Sequence, residues 1–256
     1  MSFFYEQHNN VTFTRSYSSK YMLQKYNKYT DSDQEVWNIL FNRQQNNLQN
    51  KVCTEYLECL ELFSSCLHKN EIPDFKKINN FFKDHTGWQI HVVPGLIPVE
   101  EFLTLLADKK FCSSTWLRSK DKLDYLEEPD MFHDIFGHIP LLLNPVFSEF
   151  VYDFGKLGKK HIDQKEFIIK MQRLYWYTIE FGLIKQNDQL KIFGAGIVSS
   201  FGESNSIHNT EIKKIDYDLE KVMETSFYTD AIQDKYYVTN SMEELYDSLK
   251  ILKKGR

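Results

Sequence analysis

Two histidines and one carboxylate are the residues of this chain whose types best suggest chemistry. His133 and His138 lie in an otherwise apolar and acidic segment, and Glu180 lies later in an almost wholly apolar run. Two neutral imidazoles and one carboxylate on one side of an ion leave the opposite coordination positions open, as in non-haem Fe(II) oxygenases. Zinc sites with these ligand types usually carry an H-E-x-x-H helix, which is absent here, so the pattern favours iron.

The spacing of the two histidines is not by itself a metal signature. On an ideal α-helix, residues five positions apart point about 140° away from each other around the axis. His133 and His138 can therefore converge only if the helix ends or distorts between them, which Gly137 and Pro140 would permit. The alternative is that both are ordinary histidines, hydrogen-bonded inside a helical core.

Glu180 allows two interpretations. A bare buried charge costs several kcal/mol, so a carboxylate in an apolar helix must be solvated, paired or bound to metal. Asp130 and Asp134 flank His133 and are candidates for orienting a ligating imidazole. The alternative places Glu180 on a solvated helix face beside three basic residues, Lys170, Arg173 and Lys185.

The elements that must position these side chains are mostly helical. We predict a mainly α fold with small β pieces, in which residues 31–256 form a single catalytic domain after an irregular arm, 1–30. The following elements are predicted: a helix opened by a capping box at Ser32, a strand over 88–93, a helix from Pro98, a motif helix from Pro129 that ends before Pro140, a helix over 165–183, a turn at 186–189, and a last helix capped by Ser241.

Composition excludes several classes of protein. The chain has 256 residues, 42% hydrophobic, which is enough for one sizeable core. Its net charge of -5 provides no field for nucleic acid or an anionic membrane, so neither is expected as a partner. No apolar run approaches the ~20 residues that span a bilayer, and the start of the chain lacks a signal-peptide pattern. Four cysteines without a C-x-x-C pair are interpreted as thiols in a reducing cytoplasm, with Cys53, Cys59 and Cys66 buried.

Three ordered blocks resemble the pterin-dependent aromatic amino acid hydroxylases, most closely the short bacterial phenylalanine 4-hydroxylases. The first block runs from Glu128 to Pro140, the second from Tyr175 to Leu183, and the third from Gly194 to Glu203. Trp116-Leu117-Arg118 is similar to the bacterial branch in particular. The likeness covers roughly residues 30–240 and implies the single-domain catalytic fold of that family.

The resemblance implies a role for each of eleven residues. It implies that Fe(II) is held by His133, His138 and Glu180. It implies that the substrate is held by Arg118, Trp176, Phe181, Gly196 and Ser199, with Arg118 clamping the amino-acid carboxylate. It implies that the pterin is held by Ile97, Phe102 and Tyr175, with the ring stacked on Phe102. Without the family, Arg118 is interpreted as a surface ion pair with Asp121 or Asp124, and the aromatic residues as core.

The implied activity is hydroxylation of L-phenylalanine to L-tyrosine by O2, dependent on Fe(II) and a tetrahydropterin (tetrahydrobiopterin or a related one). The alternatives are a tryptophan or tyrosine hydroxylase of the same family, a zinc hydrolase using Asp134 or Glu128 as base, and a non-catalytic metal-binding helical protein. Trp176 favours the phenylalanine and tyrosine branches, since the tryptophan branch resembles this block with Phe there. Cys112, where many animal relatives have His, and Leu126-Glu127, in place of Thr-Pro, depart from the family pattern. Without the regulatory and oligomerisation segments of the animal enzymes, the protein is predicted to be an unregulated monomer.

Overall fold

The computed structural model describes residues 22–124, 128–229 and 231–254. These residues form helices and two small sheets, which confirms the mainly α prediction. In the described part of the chain the α-helices are α1 (Asp31–Asn47), α2 (Thr54–Leu62), α3 (Phe75–Lys83), α4 (Val99–Ala107), α5 (Pro145–Lys160), α6 (Lys165–Tyr175), α7 (Ala195–Val198), α8 (Phe201–Ser206), α9 (Leu219–Glu224) and α10 (Met242–Lys253). A first π-helix spans His133–His138 and a second spans Trp176–Glu180. Short 3-10 helices cover Tyr26–Lys28, Lys120–Lys122 and Pro140–Leu143.

The start of the predicted arm, residues 1–21, lies outside the described residues. The rest of it is tied to the body of the protein. The Gln24 amide donates to the Pro73 carbonyl at 2.9 Å, and the Tyr29 hydroxyl donates to the Thr115 carbonyl at 2.9 Å. The division at residue 30 stays a prediction.

Two small sheets complete the architecture. Strand β1 (Gln89–Val92) pairs in parallel with β2 (Lys110–Ser113), and α4 connects them. The second sheet has the strand order β4-β3-β6-β5. Its strands are β3 (Leu183–Gln186), β4 (Gln189–Ile192), β5 (Lys213–Asp216) and β6 (Lys235–Thr239).

The predicted turn at 186–189 is confirmed as a hairpin between β3 and β4. Asn187 and Asp188 have φ angles of 50° and 59°, and both residue types tolerate the left-handed conformation that a two-residue hairpin loop requires. Strand β6 is parallel to both β3 and β5. This pairing brings the C-terminal part of the chain next to the strand that follows Glu180.

Several predicted helix boundaries need correction. The helix α1 is capped by Thr30 rather than Ser32: the Thr30 side chain accepts from the Asp33 amide and Asp33 accepts from the Thr30 amide. The Ser241 cap of α10 is confirmed, with its side chain accepting from the Glu244 amide. The predicted helix 165–183 is confirmed as far as Glu180, because α6 continues directly into the second π-helix, and it is wrong at its end, where β3 begins at Leu183.

The motif helix also differs from its prediction. Helical geometry begins at Met131 rather than Pro129 and takes the π form from His133. The π-helix ends at His138, so the predicted end of the motif helix before Pro140 is confirmed. Pro140 occupies the first turn of the next 3-10 helix, where its missing amide hydrogen costs nothing.

One hydrophobic core runs through the described residues. It is rich in large aromatic side chains, among them the fully buried residues Trp37, Trp88, Trp176, Tyr56, Tyr175, Phe102 and Phe111. All four cysteines are free thiols. Cys53, Cys59 and Cys112 are buried, whereas Cys66 is only partly buried, contrary to its prediction. No helix among the described residues has the length and apolar character needed to cross a membrane.

Candidate metal centre and substrate pocket

His133, His138 and Glu180 converge on one point inside the protein. One potential ligand atom from each lies within 4.8 Å of the others. The two imidazole Nε2 atoms are 3.2 Å apart, and the carboxylate oxygens of Glu180 lie 3.2 Å from His138 Nε2 and 3.8 Å from His133 Nε2. All three side chains are buried. The interpretation of Glu180 as a solvated residue is therefore wrong.

The two π-helices explain why these residues meet. In a π-helix the hydrogen bond joins residues i and i+5, so side chains five positions apart lie above one another instead of diverging. His133 and His138 are the two ends of the first π-helix. The predicted distortion between them is thus confirmed, and it takes the form of a wider helical turn. Glu180 is the last residue of the second π-helix.

Neighbouring residues hold the first π-helix in place. The Tyr56 hydroxyl, buried on α2, donates to the Phe136 carbonyl at 2.7 Å. Gly137 packs so tightly on α7 that a Cβ built there would lie 2.9 Å from the Ala195 carbonyl oxygen. Among the described residues, the glycines with a positive φ are Gly87 and Gly95, so Gly137 is not needed for an unusual backbone conformation. It is needed for the close approach to α7.

The donor set fits a bound cation. Glu180 is fully buried, and neither of its carboxylate oxygens accepts a hydrogen bond within the described structure. Burial lowers the pKa of His133 well below its usual value, so this imidazole is neutral and offers no balancing charge. A buried carboxylate without donors costs several kcal/mol unless a positive charge is supplied. A divalent metal ion supplies it, and two imidazoles with one carboxylate suit iron.

Ser199 determines which nitrogen of His133 faces the other two ligands. The Ser199 hydroxyl donates to the Ala195 carbonyl at 2.8 Å and lies 2.9 Å from His133 Nδ1. Because its hydrogen is already used, Ser199 accepts from His133, so Nδ1 carries the proton and Nε2 presents a lone pair. The expectation that Asp130 or Asp134 orients this ring is wrong.

The two aspartates have other partners. Asp130 Oδ1 accepts from the His133 backbone amide at 3.1 Å, and Asp134 Oδ2 accepts from the Ser114 amide at 2.9 Å. Burial raises the pKa of Asp134 well above its usual value. Both carboxylates therefore fix the backbone around the site rather than the imidazole.

Arg118 is not a surface residue, so the alternative of an exposed ion pair is wrong. Its Nε and Nη2 atoms donate to the two oxygens of Asp130, both at 2.8 Å, in a buried two-point contact. Its Nη1 donates to the Leu123 carbonyl at 3.1 Å. Asp124, one of the surface partners considered, pairs with Arg43 at 2.6 Å.

Asp130 is a site residue whose double role the sequence did not reveal. One carboxylate receives the Arg118 guanidinium, the Arg118 backbone amide and the His133 backbone amide. It therefore joins the proposed substrate clamp to a proposed metal ligand. The signal that could have indicated this is the position of an acid three residues before His133, where it can cap the start of a helix.

Trp176, Phe181 and Gly196 form a contiguous wall beside Glu180. The Trp176 and Phe181 ring centroids are 4.5 Å apart, and both residues are buried. A Cβ on Gly196 would lie 2.8 Å from Phe181 Cζ and 3.1 Å from Glu180 Oε2. Only glycine fits there without displacing an aromatic ring or a proposed ligand.

The proposed pterin residues are only partly brought together. Phe102 and Tyr175 meet edge to face, with centroids 5.3 Å apart, and the Tyr175 ring lies 6.4 Å from the His138 ring. Ile97 precedes α4 and is 8% exposed. Phe102 has no exposed surface and also packs edge-on against Phe111, as a core residue would. The pterin roles stay predictions.

Comparison with known proteins agrees with this geometry. Residues 6–254 match the sequence model of a family described as biopterin-dependent aromatic amino acid hydroxylase. The chain is 41% identical to a phenylalanine-4-hydroxylase of Ralstonia nicotianae over 230 residues, which cover 90% of this chain and 72% of that protein. It is 40% identical to one of Chromobacterium violaceum over 226 residues, covering 88% and 75%.

Solved structures give the same result for the fold. The chain superposes on Chromobacterium violaceum phenylalanine hydroxylase with bound iron(III) and oxidised 7,8-dihydrobiopterin. The TM-score is 0.86 at 38% identity, covering 93% of this chain and 88% of that one. The cobalt-bound form of the same hydroxylase also gives a TM-score of 0.86, at 39% identity, covering 89% and 82%. The expectation of this catalytic fold is thereby confirmed.

Proposed function

This chain belongs to the biopterin-dependent aromatic amino acid hydroxylases, and on that premise we propose that it is a phenylalanine 4-monooxygenase. It converts L-phenylalanine to L-tyrosine with O2, Fe(II) and a tetrahydropterin, tetrahydrobiopterin or a related one. Relatives that act on phenylalanine match most of its length, and one of them holds iron and a biopterin.

The observation that carries this proposal is the buried triad of His133, His138 and Glu180. Its three ligand atoms lie within 4.8 Å of one another, and the carboxylate has no protein donor among the described residues. These residues would hold Fe(II). When bound, iron and the reduced pterin supply the electrons and the oxygen activation that hydroxylation of an aromatic ring requires.

The protein's own contribution begins with ligand geometry. Ser199 keeps the Nδ1 proton of His133 in place, so Nε2 stays available for coordination. Glu180 supplies the negative charge, and the surrounding apolar residues exclude the water that would otherwise solvate it. Three ligands on one side leave room for other ligands on the opposite side.

Arg118 is proposed to bind the carboxylate of the amino acid. Asp130 accepts hydrogen bonds from Arg118 Nε and Nη2, and this contact fixes the plane of the guanidinium. The remaining N–H groups of a guanidinium so held point in fixed directions, which suits two-point recognition of a carboxylate. Trp176, Phe181 and Gly196 then enclose the phenyl ring.

The pterin is proposed to lie against Phe102, Tyr175 and Ile97. Support comes from the contact between Phe102 and Tyr175 and from the position of Tyr175 beside His138. These residues would hold the pterin near the proposed metal ligand His138.

Aerobic turnover tests the function. The wild type, loaded with Fe(II) and given a tetrahydropterin, is expected to form tyrosine from phenylalanine, whereas His138→Ala and Glu180→Ala are expected to form none. Arg118→Ala should raise the KM for phenylalanine by about tenfold or more while the iron content stays normal. Equal tyrosine formation in all these proteins would contradict the assignment of the triad, and loss of iron from the Arg118 variant would contradict its role.

The alternatives from other classes have less support. A zinc hydrolase would need Asp134 or Glu128 as a base next to water, but Asp134 is fully buried and bound to the Ser114 amide. Family membership also favours a hydroxylase over a silent metal-binding protein. Product analysis with phenylalanine, tyrosine and tryptophan separates the three substrates within the family.

Assembly and compartment complete the proposal. We propose a monomer that works in the cytoplasm, with the four free thiols as the support for a reducing compartment. Light scattering after gel filtration tests the monomer, and fractionation of the source cells tests the compartment.

A further inference from the structure

The segment before β6 reaches the wall of the proposed substrate pocket through one side chain. Gln233 is 2% exposed, and its Oε1 accepts the indole N–H of Trp176 at 3.0 Å. Trp176 is otherwise surrounded by rings: its centroid lies 4.4 Å from that of Phe227 and 4.5 Å from that of Phe181. Gln233 therefore supplies the polar partner that a buried indole requires.

The orientation of the Gln233 amide is fixed by its other contacts. Its Nε2 donates to the carbonyls of Tyr228 and Ala231, at 3.1 and 3.2 Å. Carbonyls cannot donate, so the amide nitrogen must face them and the amide oxygen must face Trp176. A flipped amide would oppose donor to donor on one side and acceptor to acceptor on the other.

The backbone of Gln233 is anchored as firmly as its side chain. Its amide donates to Glu203 Oε1 at 3.1 Å, and the other oxygen of Glu203 accepts from the Tyr236 hydroxyl. Burial raises the pKa of Glu203, which these two hydrogen bonds partly offset. The position of Gln233 is thus set by α8 and β6, independently of the metal ligands.

We propose that Gln233 is a positioning residue that sets substrate specificity by fixing the plane of the Trp176 indole. This inference rests on the proposed function and names a determinant of its amino-acid preference. Phe181 is confined between Trp176 and Gly196, where even a Cβ would approach its ring to 2.8 Å. If Trp176 is free to tilt, Phe181 can retreat, and the pocket then accepts a ring larger than phenyl.

A cycle of two substitutions tests the inference. Gln233→Leu removes the acceptor, and Trp176→Phe removes the indole N–H that it serves. In the Trp176 background, Gln233→Leu is expected to lower the ratio of kcat/KM for phenylalanine to that for tryptophan by about tenfold. In the Trp176→Phe background, the same substitution is expected to leave that ratio unchanged, because the hydrogen bond is already absent.

A conservative variant separates positioning from loop stability. Gln233→Glu, protonated in this buried position, can still accept from Trp176 and donate to one carbonyl, and it should restore the phenylalanine preference. Gln233→Met also removes the amide oxygen that accepts from Trp176, with a side chain of similar length, and should lower the phenylalanine preference as Gln233→Leu does. Gln186→Leu is the matched control, since it removes an amide that makes two hydrogen bonds at the β3–β4 hairpin. It should not change the ratio.

The outcomes distinguish this inference from the proposed function. The same change in both Trp176 backgrounds, or no change in either, would overturn the role of Gln233 while tyrosine formation by the wild type stands. Calorimetric binding of phenylalanine and tryptophan to the iron-loaded variants reports the same preference without turnover. A wild type that binds phenylalanine but forms no tyrosine would contradict the function, and the binding ratios would still decide the role of Gln233.

Discussion

At the scale of single residues, the Ser199 hydroxyl fixes the tautomer of His133. Ser199→Ala removes the acceptor for Nδ1–H, and metal affinity is expected to fall about 10- to 100-fold. Titration with Co(II), followed by its visible absorption, measures this. Ser248→Ala, on α10, is a matched control: the Ser248 hydroxyl also donates to the carbonyl four residues earlier, and it accepts from the Tyr217 side chain. Equal metal affinity in wild type and Ser199→Ala would contradict the role.

Gly196 is a second position where a single added carbon atom is expected to impair activity. In Gly196→Ala the new methyl group would clash with Phe181 and Glu180, so kcat/KM for phenylalanine is expected to fall by at least about 100-fold, since small misplacements at a reacting centre are costly. In Gly202→Ala the new methyl group would lie 3.8 Å from the Ile232 side chain, an ordinary van der Waals contact, so this variant should retain activity. Steady-state kinetics of the two variants gives the comparison, and an active Gly196→Ala enzyme would refute the packing argument.

Sequence reasoning identified the residues that coordinate but not the residues that hold them. The family resemblance pointed to His133, His138 and Glu180, whereas their types and spacing alone left structural alternatives open. The contacts of Ser199 and Asp130 with His133 were not predictable, and neither was that of Gln233 with Trp176, since each joins residues far apart in the chain or depends on which way a side chain turns. Arg118 and Glu180 were also open to surface interpretations, which only their burial excludes.

At the scale of elements, the first π-helix depends on a hydroxyl from another helix. Tyr56→Phe removes the donor to the Phe136 carbonyl and leaves that carbonyl buried without a partner, which costs about 1–3 kcal/mol. We expect weaker metal binding together with a lower melting temperature. Tyr217→Phe, which loses a hydroxyl bound to Ser248, should melt earlier but bind metal normally. Normal metal binding by Tyr56→Phe would show that the π-helix does not need this support.

The elements themselves were unequally predictable. Caps, prolines and turn residues marked the starts of α4 and α10 and the β3–β4 turn, because these signals act locally. The change from α6 to the second π-helix left no mark, since the run from Lys165 to Leu183 has helical periodicity throughout. The strands β5 and β6 were missed because they form by pairing with β3 and with each other.

At the scale of the whole molecule, metal and stability are coupled through Glu180. The protein without metal carries a buried carboxylate with no donor, so a saturating divalent ion should raise its melting temperature by about 5 °C or more. Glu180→Gln removes the charge and should melt above the metal-free wild type, with no further gain from metal. Calorimetry with and without Co(II) measures both effects. A metal-free Glu180→Gln that melts lower than wild type would contradict this account.

The two π-helices also determine which mutations this protein can survive. A π turn corresponds to an α-helix that has accepted one surplus residue. Deleting a single residue between His133 and His138 would let the backbone relax into ordinary α geometry, while every ligand remained in the chain. The two histidines would then be four positions apart, about 40° around the helix axis, and would still lie on one face. The histidine pair therefore requires that spacing and helix type match: five positions with a π turn or four with an α turn, whereas five positions on an α-helix would point about 140° apart.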